Sequence, residues 1–423
     1  MNQKARYYLS LVSLGIGGSS IFLLMYVRYV FYDQMIETMG ISNTQIGLLT
    51  TMSSFVGFVL TIPSGFIADH FDSKRLIIIA LSSTAALCFI FAAFTTYPVA
   101  IAVWIGLGFS TGLGYWPSLI KFINGLAGPE DSGKSFSLYY TVYGLSAAFV
   151  NVAEVWAGSK FGFSGAVVVI GCINAVSAVL DVFLLDGDKD KEKRGEIVAK
   201  QDSGDKIRVK DLKYIVKWPG TYILAFAYVC TYTLYSNVSY FNPYLVNVMG
   251  VPAEISSVLS IIRTYFLMLV CPIGGIMADK VLKSTSKTYI LAFCIIGVMF
   301  AVALLFKPGM NMWIAAVYSL LPSLVVMPLY SITYSIMREL HFAPSVLGTA
   351  VAVSGLLGPL VDMVPPPIFG AWLDKYGNAG YSMIFITLIT MCVLGSLVAL
   401  WAMSHNKKCL AGQRVMTVRE EDL

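Results

Sequence analysis

The sequence predicts an all-α membrane protein with twelve transmembrane helices arranged as two pseudo-symmetric six-helix bundles. Of its 423 residues, 57% are hydrophobic and only 13% are charged, whereas a soluble domain carries about 25% charged residues. The chain also contains many apolar stretches long enough to cross a bilayer, which takes about 20 residues. A short charged motif occurs twice, half a chain apart. These observations exclude an ordinary soluble domain.

Twelve apolar stretches separated by polar turns are the predicted spans. They are residues 8–33, 44–69, 76–95, 98–124, 134–158, 163–186, 218–248, 253–279, 286–306, 310–338, 345–372 and 379–404. No small-residue cleavage site precedes the first of them, so we interpret it as a membrane helix rather than a signal peptide. The predicted organisation is a first bundle at 1–186, a linker at 187–217, a second bundle at 218–404 and a tail at 405–423.

The distribution of lysine and arginine predicts the orientation of the chain. Of 29 such residues, 23 fall on one side of the predicted spans, three on the other side and three within spans. Because cytoplasmic loops are enriched in positive charge, we predict a multi-pass protein with both termini in the cytoplasm. The same bias explains the net charge of +5, which therefore does not indicate a nucleic-acid partner.

A Gly-x-x-x-Asp motif with nearby basic residues ends the second predicted span of each half. Its residues are Gly65, Asp69, Lys74 and Arg75 in the first copy and Gly275 and Asp279 in the second, 210 positions later. The repetition predicts two homologous halves. The motif resembles the signature loop of the major facilitator superfamily. That resemblance implies the major facilitator fold and a secondary transporter of the inner membrane.

By the same resemblance, the motif is a conformational switch. The carboxylate of Asp69 is expected to lock neighbouring helices by accepting from a helix N-terminus or by pairing with a cation. The second copy is a weaker lock, because Lys283 and Lys287 replace the adjacent pair Lys74 and Arg75. The alternative is that these basic residues only retain their loops in the cytoplasm.

Among the ionisable side chains of the predicted spans, five are candidates for function, because a charge within a membrane costs a few kcal/mol and usually faces a cavity or a partner. They are Arg28, Lys121, Glu154, Arg263 and Asp362. We interpret Arg28 as the ligand of a substrate anion, and the alternative is a residue that snorkels from the end of span one. Lys121 either contacts substrate or lies at the cytoplasmic end of span four. Glu154 is either a coupling or ion-pair residue or lies at the membrane interface. Asp362 either pairs with Arg263, accepts a coupling proton, or faces the surface.

An arginine in span one, the segment that follows this span and a part of span four narrow the resemblance to the organophosphate:phosphate antiporter branch and to other organic anion porters. The matching segments are Met39–Gly47 and Gly112–Lys121. The resemblance implies that spans one, four, seven and ten line a central cavity, with Arg28 on the substrate. Tyr235 stands where that branch carries a second arginine, and Arg263 in span eight restores a second cation.

Six tyrosines are further candidates for substrate contact, because their hydroxyl groups can donate to substrate oxygens while their rings wall a cavity. They are Tyr139 and Tyr143 in span five, Tyr232 and Tyr235 in span seven, and Tyr330 and Tyr334 in span ten. The alternative for each of them is ordinary packing.

These features predict a secondary active transporter that moves a small organic anion (carboxylate, sulfonate or phosphate ester) by alternating access, through proton symport or anion exchange. The sequence contains no Walker motif, no nucleophile–base set and no metal-ligand cysteine spacing, so no enzymatic activity, cofactor or metal is expected. The expected partners are the anionic substrate, protons in the symport case and the lipid bilayer, with no nucleic acid and a monomeric state. The alternatives are a drug exporter of the same superfamily and a transporter-like membrane sensor.

Overall fold

The computed structural model describes residues 3–126, 132–187, 209–343 and 346–416, and all regular secondary structure within these ranges is helical. The chain divides into two compact units. The first unit comprises Met1–Gln201, Ala253–Ile261 and Met363–Gly370, and the second comprises Asp202–Pro252, Ile262–Asp362 and Ala371–Leu423.

The helices follow the chain in a simple order. The first seven are α1 (Gln3–Ser20), α2 (Arg28–Met39), α3 (Asn43–His70), α4 (Ser73–Ala93), α5 (Tyr97–Gly112), α6 (Tyr115–Leu126) and α7 (Ser132–Leu184). The next are α8 (Val209–Lys217), α9 (Pro219–Asn237), α10 (Phe241–Asn247), α11 (Ala253–Thr264), α12 (Cys271–Ile276) and α13 (Thr285–Ala303). The last are α14 (Met312–Tyr318), α15 (Leu321–Ser331), α16 (Leu347–Gly355), α17 (Gly358–Met363), α18 (Pro365–Tyr376) and α19 (Ala379–Leu410).

Nine helical stretches of the described residues are long and apolar enough to cross a membrane. The difference from the predicted twelve has two sources. Predicted spans five and six form one continuous helix, α7, which is interrupted only at Gly162, where φ is 71°. Glycine adopts a positive φ without the penalty of a Cβ atom. Predicted spans one and seven are not among the nine. Span one is broken, and α9 is long enough with its 19 residues but contains several tyrosines and threonines, which lower its hydropathy.

Predicted span one is broken between α1 and α2. Residues 21–27 form turns held by short-range hydrogen bonds, such as Leu23 N to Ser20 O at 3.1 Å. Adding the 210-residue offset of the two signature motifs to Arg28 gives position 238, where the 3₁₀ segment Val238–Tyr240 separates α9 from α10. Irregular backbone at membrane depth is tolerated only where it is buried in protein or lines a cavity. The interruption of the second half thus begins just after the position that corresponds to the break at 21–27.

Side-chain caps fix where the helices of the signature turn begin. Ser42 Oγ accepts from Gln45 N at 3.3 Å and Gln45 Oε1 accepts from Ser42 N at 2.9 Å, which makes a reciprocal capping box at the start of α3. Asp72 Oδ1 accepts from Lys74 N at 3.0 Å at the start of α4. Helix α3 ends at His70 and α4 begins at Ser73, so the turn between them is only two residues long.

The interior of the first unit is packed where α1, α4, α6 and α7 meet. Buried side chains there include Leu11, Leu14, Ile77, Leu81, Tyr115, Leu119 and Tyr139. Within a membrane, the close approach of small residues favours helix packing. A methyl group at Gly15 would lie 2.6 Å from Val142 Cγ1, and one at Gly18 would meet the Tyr139 hydroxyl. Helix α1 therefore packs directly on the first half of α7.

Candidate functional site

Arg28 is the first residue of α2, directly after the break in predicted span one. Its side chain is 3% exposed, and its guanidinium carbon lies 4.8 Å from the centre of the Tyr29 ring. Inside α2, Phe31 has non-helical backbone dihedrals, with φ −116° and ψ 34°. Two carbonyls just before it accept from serines of α11. Ser260 Oγ donates to Tyr29 O at 2.5 Å and Ser257 Oγ donates to Val30 O at 2.9 Å. The start of α2 is therefore a polar site inside the first unit, and a buried cation lies at it.

Lys121 contacts the backbone at the end of α3, and its predicted contact with substrate remains a prediction. Its Nζ donates to the backbone oxygen of Ala68 at 2.9 Å, in the last turn of α3. A cation at this place satisfies a helix carbonyl and interacts favourably with the helix dipole. The structure therefore gives Lys121 a capping contact beside the first signature turn, and its described contact is not with Arg28.

The first signature turn is described only in part. Gly65 has open space where a Cβ atom would lie, and Arg75 is exposed. The side chain of Asp69 lies outside the described residues, so the predicted lock remains a prediction.

The second signature turn contains an ion pair. Asp279 Oδ1 accepts from Arg338 Nη1 at 2.8 Å, and both side chains are exposed. The next residue, Glu339, accepts from the backbone of Thr285 at 2.5 Å and also from the hydroxyl of Ser286, at the start of α13. Exposed ion pairs contribute only about 0–1 kcal/mol of stability. We therefore expect the contacts of Glu339 with the N-terminus of α13 to stabilise this turn more than the Asp279–Arg338 pair does.

Replacement of Asp69 by asparagine is expected to slow turnover several-fold and to leave ligand affinity unchanged, because the lock acts on conformational exchange and not on the ligand. The matched control is Asp279→Asn, which removes an exposed pair and should slow turnover less. Initial uptake rates in proteoliposomes, together with dissociation constants of the purified variants, measure both effects. If Asp69→Asn transports at the wild-type rate, Asp69 does not act as a conformational lock.

In the second unit, tyrosine rings from α9, α15 and the segment Thr333–Glu339 stack on one another. Tyr235 and Tyr330 lie 4.3 Å apart between ring centres, with an interplanar angle of 17°. Tyr232 stacks on both of them at 5.8–6.0 Å. Tyr228 stacks on Tyr232 at 5.6 Å and on Tyr334 at 5.7 Å. Four of these tyrosines were predicted to form a site, and the structure brings them together.

The sequence analysis missed Tyr228, although a signal was present. Tyr228, Tyr232 and Tyr235 are spaced i, i+4 and i+7, which places them on one face of α9. A search for tyrosines at this spacing would have found it.

Asp362 contacts the central tyrosine of the stack, Tyr232. It is 2% exposed and accepts from Tyr232 Oη at 2.6 Å and from Ser236 Oγ at 2.9 Å. Both hydroxyl donors belong to α9, so they hold the carboxylate of Asp362 against that helix. This contact orients the Tyr232 ring and supports the stack.

Arg263 is completely buried and does not pair with Asp362. Its Nε donates to Ser319 O at 3.2 Å and its Nη2 donates to Ser319 Oγ at 2.9 Å, while the Phe241 ring centre lies 5.6 Å from the guanidinium. Ser319 is the C-cap of α14, so the cation lies at the negative end of a helix dipole. In the described part of the chain, Arg263 Nη1 has no hydrogen-bond acceptor. The predicted Arg263–Asp362 ion pair is therefore not formed.

The predicted site residues of span five lie in the interior of the first unit. Tyr139 is 1% exposed and packs against Tyr143 at 6.0 Å between ring centres. Glu154 is 2% exposed, so it is buried in protein, and its predicted position at the membrane interface remains a prediction. The buried positions Ala147, Val150, Asn151, Glu154 and Ala157 recur at helical spacing, which places Glu154 on the inward face of α7.

Among the described residues, no group of three or more histidine, cysteine, aspartate or glutamate side chains could hold a metal ion. The candidate groups are instead two buried arginines, a stack of tyrosines and scattered buried carboxylates. They can bind a polar ligand within a membrane, but they include no activated nucleophile.

A membrane protein that combines repeated helical halves, interrupted spans and buried binding groups is a transporter in class. The family model of the Major Facilitator Superfamily matches residues 14–359. The chain belongs to this superfamily, and it is a multi-pass transporter rather than an enzyme.

Relatives and a solved structure agree with this assignment. The chain is 26% identical to the inner membrane protein YihN of Escherichia coli, over 90% of this chain and 92% of that protein. It is 19% identical to the probable sulfoacetate transporter SauU of Cupriavidus necator over 86% of each chain. It is 22% identical to the membrane sensor protein UhpC of Escherichia coli over 50% of this chain and 51% of that protein.

The fold is also found in a solved structure, a bacterial homologue of the human lysosomal transporter Spinster in an inward-facing and unoccupied conformation. The TM-score is 0.72 at 13% sequence identity, over 97% of this chain and 99% of that chain. At this identity the likeness shows the fold alone.

Proposed function

We propose that the protein is a secondary active transporter that moves a small organic anion, such as a carboxylate, sulfonate or phosphate ester, by alternating access. The observation that carries the proposal is Arg28, which is 3% exposed and stands at the break of the first span. An arginine is costly at that depth. Its planar fork of donors matches a carboxylate, sulfonate or phosphate, so binding an anion offsets part of that cost.

Groups in the second unit support the same proposal. Arg263 is fully buried and keeps one donor, Nη1, without an acceptor in the described residues. A buried donor without an acceptor costs about 1–3 kcal/mol, and an oxygen of the substrate would satisfy it. Within the second unit, the stacked tyrosines offer hydroxyl groups and flat apolar surface that suit a small ligand.

The charge of the second unit favours some anions over others. Tyr235 is neutral and lies within the stack, where the related phosphate-ester branch is expected to carry an arginine. Arg263 is already engaged by Ser319 through two of its nitrogens. We therefore favour carboxylates and sulfonates over doubly charged phosphate esters. The relative named as a probable sulfoacetate transporter fits this choice.

A second candidate function is ligand sensing without transport. The relative UhpC is named a membrane sensor protein and matches half of this chain. A sensor and a transporter bind the same class of ligand, but only the transporter accumulates it. Uptake by the purified protein in sealed vesicles therefore separates the two functions.

The proposal is tested in two steps. Purified protein is first screened by thermal shift against organic acids, sulfonates, phosphate esters and neutral sugars. Each ligand that raises the melting temperature is then tested for uptake or exchange in proteoliposomes, with empty liposomes as the control. We expect anionic hits that are taken up. A hit set made only of neutral sugars would overturn the proposal, and binding without uptake would favour the sensor.

We also infer an inner-membrane location, a monomeric state and cytoplasmic termini. The inner membrane follows from the relative YihN, and the orientation follows from the 23 of 29 lysines and arginines on one side. Protease digestion of a C-terminal tag in right-side-out vesicles tests the orientation, and light scattering of the purified protein tests the monomer.

A further inference from the structure

A second buried carboxylate lies inside the first unit, away from Arg28 and from the tyrosine stack. Asp181 is 0% exposed, three residues before the end of α7. Its Oδ1 accepts from Ser13 Oγ of α1 at 2.6 Å. Its Oδ2 has no hydrogen-bond partner among the described residues. Burying a carboxylate is costly unless it is paired or neutralised, so a single hydroxyl donor is little compensation.

Among the described residues, other buried oxygens without a hydrogen-bond partner lie on α6 and α7, which pack with α1 in the same unit. They are Tyr115 Oη, Ser118 Oγ, Tyr139 Oη and Ser177 Oγ. Ser177 lies one turn before Asp181 on α7, and Ser118 lies one turn after Tyr115 on α6. Tyr115 and Tyr139 belong to one buried cluster, and Tyr115 interacts electrostatically with Asp181. We call Ser13, Tyr115, Ser118, Tyr139, Ser177 and Asp181 the Asp181 cluster.

The composition of the Asp181 cluster decides what it can hold. All of its free polar atoms are oxygens, and one of them belongs to a carboxylate. Hydroxyl groups can turn to donate or accept, so they can solvate either a protonated carboxyl or a bound cation. Oxygen-only ligand sets with a carboxylate favour hard cations. None of the residues of the Asp181 cluster is a cation. The cluster therefore does not suit an anionic ligand.

The charged and titratable groups near the cluster come from four helices. On α1, Tyr7 packs against the same buried residues, and Arg6 pairs with Asp186 just beyond the end of α7. From α4, the charge of Lys74 acts on Asp181, and this lysine belongs to the first signature turn. From α6 comes Tyr115, and from the first half of α7 come Tyr139 and Tyr143. A change of charge at Asp181 therefore changes the electrostatic environment of Lys74.

We propose that the Asp181 cluster binds the coupling ion of the transporter, a monovalent cation that is either H⁺ or Na⁺. In the proton case, one H⁺ adds to Oδ2 of Asp181 and the neutral carboxyl donates to a neighbouring hydroxyl. In the sodium case, the carboxylate and the hydroxyl oxygens surround the ion. Either occupant removes the buried negative charge and changes the field at Lys74. The inference rests on the proposed transport function but not on the identity of the substrate.

The test uses the purified full-length protein in lipid nanodiscs without any substrate, so its failure is separate from a failure of the anion proposal. Asp181→Asn is compared with wild type and with the matched control Asp186→Asn, which removes a carboxylate on the same segment that pairs with Arg6 at 2.6 Å. One arm records the infrared carbonyl band of protonated carboxyl groups as the pH is lowered. The other records the melting temperature in NaCl against choline chloride.

For a proton site, we expect a pH-dependent carboxyl band in wild type and Asp186→Asn that is missing in Asp181→Asn. For a sodium site, we expect NaCl to raise the melting temperature of wild type and Asp186→Asn by about 2–4 °C, as a bound ligand worth about 1 kcal/mol does, but not that of Asp181→Asn. The proposal is overturned if neither response depends on Asp181.

A second variant keeps the test decisive if Asp181→Asn does not fold. Ser13→Ala removes the hydroxyl donor of Asp181 and leaves the carboxyl group in place. For a proton site, it should move the midpoint of the carboxyl band to higher pH, because the ionised form loses its donor. For a sodium site, it should raise the NaCl concentration needed for half of the thermal shift. The proposal is also overturned if Ser13→Ala keeps both the wild-type pH midpoint of the carboxyl band and the wild-type NaCl concentration for half of the thermal shift.

Discussion

Arg28→Ala is expected to lower the affinity for an anionic ligand by on the order of tenfold to a hundredfold. Charge-assisted hydrogen bonds from a guanidinium contribute about 1.5–3 kcal/mol each, and each ~1.4 kcal/mol is a factor of ten in affinity. Arg28→Lys should fall between alanine and wild type, because it keeps the charge and loses the planar fork. Dissociation constants of purified variants for the ligand found by thermal shift measure the effect.

The matched control for this prediction is Arg414→Ala. Arg414 lies beyond the last helix, where it contacts Nδ1 of His405 at 3.1 Å, so its removal should leave affinity unchanged. Wild-type affinity for an anionic ligand in Arg28→Ala would contradict the anion proposal. So would an equal loss for a neutral ligand, because that would show damage to the fold rather than loss of a charge contact.

Arg263→Met should lower uptake of an anionic substrate at least tenfold while changing the melting temperature little. Methionine fills a similar volume with an apolar chain, and replacing a buried charge with an apolar side chain is often neutral or stabilising. The free donor Nη1, which we assign to the substrate, is lost with the guanidinium. Uptake in proteoliposomes and thermal unfolding of the same preparation give the two readouts.

Ser319→Ala is the control for Arg263, because it removes one hydroxyl acceptor and leaves the guanidinium and the Ser319 carbonyl in place. It should lower uptake less than Arg263→Met. If Arg263→Met instead lowers the melting temperature and preserves uptake, the arginine serves only to cap α14, and its role in binding is excluded.

The sequence predicted the helical class and most of the spans, because both depend on the length and hydropathy of local segments. Two features of the spans were not predicted from the sequence, each for a physical reason. The break at residues 21–27 contains neither glycine nor proline, the usual signals of an interrupted helix. The second feature is the joint at Gly162, the single non-helical residue inside α7. The charged Lys160 just before it indicated an ordinary polar loop, and the single-residue turn is evident only from the backbone dihedrals of Gly162.

The candidate site was predicted less completely, because partners distant in sequence decide what an ionisable side chain does. Lys121 donates to a backbone carbonyl 53 positions away, and Arg263 binds Ser319, 56 positions away. A backbone carbonyl has no sequence signature, so neither contact was predictable. Tyrosines at helical spacing were predictable, because regular spacing alone places them on one face. Asp181 lies near the end of a span, where the sequence did not distinguish it from a loop residue.

The joint at Gly162 has a practical consequence for anyone who wishes to label this protein. Two neighbouring membrane crossings are joined with almost no chain to spare, so this corner offers no surface large enough for an antibody epitope and no slack for an inserted tag. The stretch 304–311, which connects α13 to α14, is longer and contains the exposed residues Leu305, Lys307 and Met310. A peptide tag or a fluorophore on that face therefore belongs in this stretch, where it lengthens a loop instead of parting two packed helices.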